Sequence, residues 1–559
     1  MIIKELLNKI YPFLSSLSIA AAGLMLVFFG LSKRKGFKIF GIVLAAISII
    51  AAIFLNIWSF STLGDFSDTL FNFNIFAVVA TVIILFAALN ILIFISIINF
   101  HNDNFIKIIL VFLTGVFFFM VFIGANNFIM IFTSFAVLLL VIFQLTSALS
   151  SRINKGCFSE YSVKNSIIRF YLVSVFSFLL TFMGYSLIYG SGDFKFYKQL
   201  LQSDKMASPL VITGLFIILT SLYIFMFLFP FQSAYIKMQN RIQYSSMQVV
   251  WFFYFPAGIL MFFKLKDVLY YFLDKHSLPV TSALLAVSVI CILGGNIGAI
   301  RTQGLRRIMS FLYLSMSGQI ILGFAQFGLG VASNSRAVWL AVANIVFISL
   351  LYFPLGLFSS ELENRFGSDK ITNMAGYLRT QKYIGINLLI LLLAFGGLTG
   401  TAGYVLRFIY LQPFLNGFNG LLSIGPDIRL SVLNISCFAV ALISWMFIAA
   451  NMIRLIFCLA KRPASGQTRD LATDPTQDLT SELTEAPAAG QTQNPVSGRT
   501  DSPAISNKEG EGRLRFSWFL YFYLTLFSII VVLTGIMGLL ELFGVNLNFL
   551  GFSLINLNF

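Results

Sequence analysis

Very few side chains in this chain could do chemistry inside the apolar runs that make up most of it. The ionisable residues that interrupt those runs are Arg169, Arg407, Arg454 and Glu541. Charge in hydrocarbon is costly, so each of them calls for a function or a specific partner. Arg454 and Glu541 fall near run ends, where a long side chain snorkels to the interface or caps a helix. Arg169 falls near the start of the sixth run, and Arg407 falls within the twelfth. Arginine keeps its proton at physiological pH, so these two can hold a fixed charge or bind an anion but cannot relay protons by releasing their own. Lys237, Lys264 and Lys266 fall at run ends, where a lysine is ordinarily solvated.

Arg407 follows a glycine-rich stretch in which Gly396, Gly397, Gly400 and Gly403 occupy the middle of an apolar segment. Two readings fit these glycines. One is a helix broken at membrane depth, where unwound backbone lines a cavity or an ion site; the other is close helix packing by small residues. Phe229, Pro230 and Phe231 form a smaller counterpart in the seventh run.

Other chemistry is absent from the pattern. Both histidines, His101 and His276, lie in predicted loops, and the four cysteines, Cys157, Cys291, Cys437 and Cys458, are scattered singly. Neither a metal site nor a resident redox group is expected from such spacing. With no phosphate-binding glycine loop, nucleophile elbow or carboxylate pair, no catalytic residue that makes or breaks bonds is expected.

The elements that must position these residues follow from composition. The 559 residues are 58% hydrophobic and 11% charged, whereas a soluble chain carries about 25% charged residues. Runs of about 20 apolar residues can each cross the bilayer as a helix, and the alternating pattern of a membrane barrel is missing. About fourteen such spans are expected, beginning near Phe13, Lys38, Asn74, Phe105, Asn126, Ser166, Ser208, Tyr244, Pro279, Arg307, Ala337, Tyr383, Leu430 and Ser517. The fold class is therefore all-α integral membrane, with two inverted five-helix repeats and discontinuous helices 7 and 12. Residues 1–104 hold three leading helices, 105–265 the first repeat, 266–462 the second, and 513–559 the last helix. Residues 463–512, rich in Pro, Ser, Thr, Gln and Gly, read as a disordered linker.

The net charge of +15 encodes topology, and no nucleic-acid partner is expected. Lys33, Arg34, Lys35 and Lys38 directly follow the first run, which favours a retained helix with its N-terminus outside. Alternate loops then carry most of the Lys and Arg residues and would be cytoplasmic. Both termini would be periplasmic, and the linker at 463–512 cytoplasmic.

Residues 295–323, GNIGAIRTQGLRRIMSFLYLSMSGQIILG, resemble a segment of the antiporter-like membrane subunits of respiratory complex I and their relatives in multisubunit cation/proton antiporters and membrane hydrogenases. Gly295, Asn296, Ala299, Arg306, Arg307, Ser315 and Gly318 carry that likeness. ANNFIMIF at 125–132 resembles the family's entrance to the fifth helix. Phe229, Pro230 and Phe231 stand where the seventh-helix break would be, and the glycine-rich stretch stands at the twelfth. Within the family the chain is most similar to subunit N, because the residue after the twelfth-helix break is the basic Arg407 and no lateral helix follows.

The resemblance implies a row of titrating groups, and the chain departs from it. Ala136 stands at the expected fifth-helix glutamate, Phe225 and Phe255 at the lysines of the seventh and eighth helices, and Met316 at the tenth-helix histidine. The remaining ion-translocation candidates are Arg169, Arg407, Arg306 and Arg307. The resulting expectation is a membrane-arm subunit of an ion-translocating NADH:quinone oxidoreductase whose own proton-transfer residues are largely lost. Flavin, iron–sulfur clusters and quinone would be held by partner subunits, and none by this chain. Its surroundings would be the other membrane-arm subunits and the lipid of a bacterial inner membrane. The alternatives are an Mrp-like antiporter or hydrogenase membrane subunit, which would need titratable core residues, and a lipid-linked saccharide flippase, which would need cations spread through a central cavity.

Overall fold

The computed structural model describes residues 13–29, 35–67, 71–100, 104–150, 160–192, 208–242, 244–264, 277–325, 370–380, 382–405 and 428–461, with shorter pieces within 355–362, 407–411 and 525–533. The described chain is almost wholly helical. The leading helices are α1 (Leu14–Phe29), α2 (Lys35–Leu63) and α3 (Ile75–Asn99), with a small antiparallel pair of β1 (Phe66–Ser67) and β2 (Asn72–Phe73) between α2 and α3. There follow α4 (Phe105–Gly124), α5 (Phe128–Ser150), α6 (Glu160–Gly190), α7 (Pro209–Phe225), the short α8 (Gln232–Gln239) and α9 (Tyr244–Lys264). The later part holds α10 (Ser277–Arg301), α11 (Leu305–Ala325), α12 (Lys382–Gly396) and α13 (Ile428–Ala460). Among the described residues, 7 helices are long and apolar enough to cross a membrane, and shorter apolar helices include Pro209–Phe225 and Gly385–Gly396.

Local signals fix the helix starts. Asn74 caps α3 by accepting the Ala77 amide at 2.9 Å, and Ser208 caps α7 immediately ahead of Pro209, whose missing N–H costs nothing at a helix start. The sixth helix begins at Glu160, six residues before the predicted Ser166. Its polar first turns stay helical because Arg241 ties them down, donating to the Ser162 carbonyl at 3.2 Å and the Ser166 hydroxyl at 2.9 Å. The span expected near Ala337, the linker at 463–512 and Glu541 lie outside the described residues.

Small residues set the closest helix contacts, as expected where lipid removes the hydrophobic drive between helices. On α6 and α7, Gly184 and Gly214 face each other so closely that a Cβ on either would lie 2.6 Å from the other's carbonyl oxygen. Two turns away the Ser177 and Ser221 hydroxyls donate reciprocally to each other's carbonyls, at 2.8 and 2.7 Å. The α10–α11 hairpin uses the same device, since a Cβ on Gly295 would lie 2.5 Å from the Ser315 amide.

Candidate functional site

Two helices stop abruptly, each in the same way. In α7, Leu228 N donates to Tyr223 O at 3.4 Å and Phe227 N to Ile224 O at 3.0 Å. In α12, Leu398 N donates to Leu393 O at 3.1 Å and Gly397 N to Ala394 O at 3.0 Å. These are Schellman terminations, which require a left-handed residue between the helix and its exit. Phe227 supplies it in the first break with φ 50°, and Gly397 in the second with φ 74°. A Cβ in that region costs about 1–2 kcal/mol, so the first break carries strain that the second escapes. Gly397 also packs closely: a Cβ there would lie 2.5 Å from Arg407 Cδ and 2.6 Å from Trp445 Nε1. Gly400, φ 85°, turns the exit segment. Gly403 backs onto the Ala394 carbonyl and Gly396 onto α13, while Pro230 follows Phe229 through a cis peptide bond in the exit from α7.

A helix end buried away from water exposes carbonyls that need other donors. The two breaks answer this differently. At the first, Phe225 O accepts the Tyr254 hydroxyl at 2.8 Å, and Tyr254 Oη also pairs with Ser174 Oγ at 3.0 Å. At the second, the buried Arg407 reaches back to donate to Phe395 O at 3.0 Å, and Trp445 Nε1 donates to Gly396 O at 3.1 Å. A neutral hydroxyl caps one break and a cation caps the other.

Around the first break the core is a packed column of rings. Phe225 stacks on Tyr254 at 4.1 Å and touches Phe135 at 4.9 Å. Phe255 stacks on Tyr313 at 3.5 Å, and Tyr235 joins Tyr313 at 5.0 Å and Phe227 at 6.0 Å. All these rings are buried. Phe225 and Phe255 thus lie in one aromatic assembly. Ala136 is half-buried beside the buried Phe135, and Met316 is half-buried beyond the turn that carries Tyr313. Rings in van der Waals contact leave no room between them for water or for a lysine.

The second half keeps polar contacts along one side of α13. Ser444 Oγ accepts from Gln319 Nε2 at 2.7 Å; Asn451 Nδ2 donates to Asn296 Oδ1 at 3.4 Å, and Asn296 Nδ2 to Ser315 Oγ at 2.8 Å. Arg454 completes the row by donating to the carbonyls of Ala299, Ile300 and Thr302 as α10 ends. Asn296 and Ser315, singled out by their motif, meet here; Asn451, which joins Asn296, and the separate pair Gln319 and Ser444 carry no signature in sequence.

The remaining cations follow one rule. Arg306 is buried and donates to Ile242 O at 2.7 Å, Lys38 is buried and donates to Phe100 O at 3.2 Å, and Lys264 donates to Ile123 O at 3.1 Å and Ala125 O at 2.5 Å. Lys264 also lies 5.8 Å from the centre of the Phe122 ring. Its position in the last turn of α9, read from sequence as a solvated end, instead closes the end of α4. Arg169 and Arg307, by contrast, are exposed and stand apart from Arg407. Among the described residues every buried or half-buried Lys or Arg side chain donates to a backbone carbonyl, and no cluster of His, Cys, Asp and Glu could hold a metal ion. Cations capping helix ends are favoured by the helix dipole as well as by the hydrogen bonds.

The fold is shared with chains of known multisubunit membrane complexes. A subunit of the Mrp complex from Dietzia sp. DQ12-45-1b superposes with a TM-score of 0.64 at 14% identity, covering 96% of this chain and 97% of the other. A chain of respiratory complex I from Thermus thermophilus superposes with a TM-score of 0.58 at 14% identity, covering 81% and 91%. In sequence the likeness is to NADH-quinone oxidoreductase subunit N: the subunit N 2 of Syntrophobacter fumaroxidans is 24% identical over 298 residues, 52% of this chain and 58% of that protein. The chain resembles these proteins at low identity, and it spans less than two thirds of the length of the first curated relatives it matches. No family model matches it.

Proposed function

We propose that this chain serves as a subunit-N-like component in the membrane arm of an ion-translocating NADH:quinone oxidoreductase, in a bacterial inner membrane, with its termini on the periplasmic side and its 463–512 linker in the cytoplasm. Its own core works as architecture and coupling and does not relay protons. Flavin, iron–sulfur and quinone chemistry belongs to partner subunits. Two inverted five-helix repeats, 105–265 and 266–462, carry the two breaks; the matched terminations of α7 and α12 support that pairing.

The observation that carries this reading is the aromatic column. Where the family likeness leads one to expect removable protons, Phe225 and Phe255 are locked in stacked rings, and the cation of the second break, Arg407, is committed to a helix-end carbonyl. An arginine fixed in this way acts as a standing charge. Its field reaches groups in the same low-dielectric interior, which is a physical route for coupling without transfer.

The test is the number of protons moved per electron pair by the assembled complex, compared between wild type and an Ala136→Glu/Phe225→Lys double variant. The reading expects wild-type complex to move fewer protons than the family's full set of antiporter-like subunits would provide, and the variant to raise the number only if water enters the column. A wild-type ratio as high as the family's full set of antiporter-like subunits would give, with assembly intact, would overturn it. The second reading, an Mrp-like antiporter, is favoured by the fold likeness to the Mrp subunit. Copurification separates the two: redox subunits accompany the chain in the first reading and are missing in the second.

A further inference from the structure

We propose that the end of α6 carrying Arg169 is a binding site for the phosphate of an anionic phospholipid. Arg169 is exposed on a helix whose neighbouring surface, Leu172 at 59% and Phe176 at 54% exposed, is apolar. It lies nine residues from Glu160, about 14 Å along the axis. Because a helix of 31 residues is about 16 Å longer than the hydrocarbon is thick, this places a permanent cation within snorkelling reach of the phosphate plane.

Other cations gather at the same end. Lys164 is exposed on the preceding turns of α6, and Lys237 is exposed on α8. Arg241, four residues beyond Lys237, is bonded to the Ser162 carbonyl and the Ser166 hydroxyl, so the end of α8 is held against the first turns of α6. A guanidinium fork matches phosphate oxygens in geometry, and basic groups at a membrane surface attract anionic headgroups. Acyl chains would then lie along Leu172 and Phe176.

The test uses the full-length protein in nanodiscs of mixed phosphatidylcholine and phosphatidylglycerol, with native mass spectrometry counting each lipid retained. Wild type should retain phosphatidylglycerol in preference to phosphatidylcholine. Arg169→Gln should lower that preference about fivefold and Lys164→Gln/Arg169→Gln by a further factor of about five, while Arg169→Lys keeps most of it. An unchanged melting temperature shows that each variant is folded. Equal retention of both lipids by wild type, or an unaltered preference in the double variant, overturns the proposal. So does loss of copurifying membrane subunits on Arg169→Gln with lipid preference intact, which would assign the arginine to a carboxylate on a protein partner.

Discussion

The two helix breaks end with the same pair of backbone hydrogen bonds, yet their side chains divide the work differently. At the first, a phenylalanine takes the left-handed position, a tyrosine hydroxyl caps the carbonyl, and stacked rings fill the space behind it. At the second, a glycine takes that position, and an arginine and a tryptophan cap successive carbonyls. One backbone solution therefore tolerates a dry neutral surrounding or a charged one, provided each exposed carbonyl finds a donor. The charge at a break is thus separable from the break itself.

The largest expected effect comes from Gly397→Ala. It forces a Cβ into the left-handed region, about 1–2 kcal/mol, and against Arg407 and Trp445, where overpacking costs typically about 1–3 kcal/mol more. Thermal unfolding in detergent should show a loss of several degrees at least. The matched change at the first break, Phe227→Ala, removes a buried ring in contact with Phe170 and Tyr235 without adding a steric clash, so its cost should follow lost packing. If Gly397→Ala leaves the melting temperature unchanged, the equivalence of the two breaks is wrong.

Next comes Arg407→Met, which keeps most of the side chain's apolar bulk and leaves Phe395 O without its donor, at about 1–3 kcal/mol. Arg407→Lys should recover part of this loss, because an ammonium can still donate. Tyr254→Phe is the neutral counterpart at the first break, with an expected cost of about 1 kcal/mol. A double-mutant cycle between Tyr254→Phe and Ser174→Ala should show coupling, since both hydroxyls belong to one hydrogen-bonded pair.

Much of this could be read from sequence, and the remainder could not for a definite reason. Span positions follow from hydropathy, which is local, so predicted starts at Asn74, Phe105, Ser208 and Tyr244 fall within two residues of the observed helices. The breaks announce themselves through Gly396, Gly397 and Gly400 and through Pro230. The donors that satisfy them do not. Trp445 reaches Gly396 across 49 residues and Tyr254 reaches Phe225 across 29, and no local pattern encodes those meetings. Sequence singles out Arg169 and Arg407 alike as ionisable residues within apolar runs; in the fold Arg169 is exposed on α6 and Arg407 is buried.

Lys264 gives the smallest effect and the sharpest check on the rule that buried cations here close helix ends. Its ammonium meets the carbonyls of Ile123 in the last turn of α4 and of Ala125 just past it, across about 140 residues of chain. Lys264→Met should cost about 0.3–1 kcal/mol, rising to about 2 kcal/mol if the site is well shielded from solvent. Lys264→Arg should be tolerated as a donor but crowded by the Phe122 ring. Hydrogen exchange reads this locally: the amides of the final turn of α4 should exchange faster in Lys264→Met, whereas those at the α12 break stay as in wild type. Faster exchange at both places would mean that the change loosens the bundle as a whole, and the cap would then lose its standing as a local device.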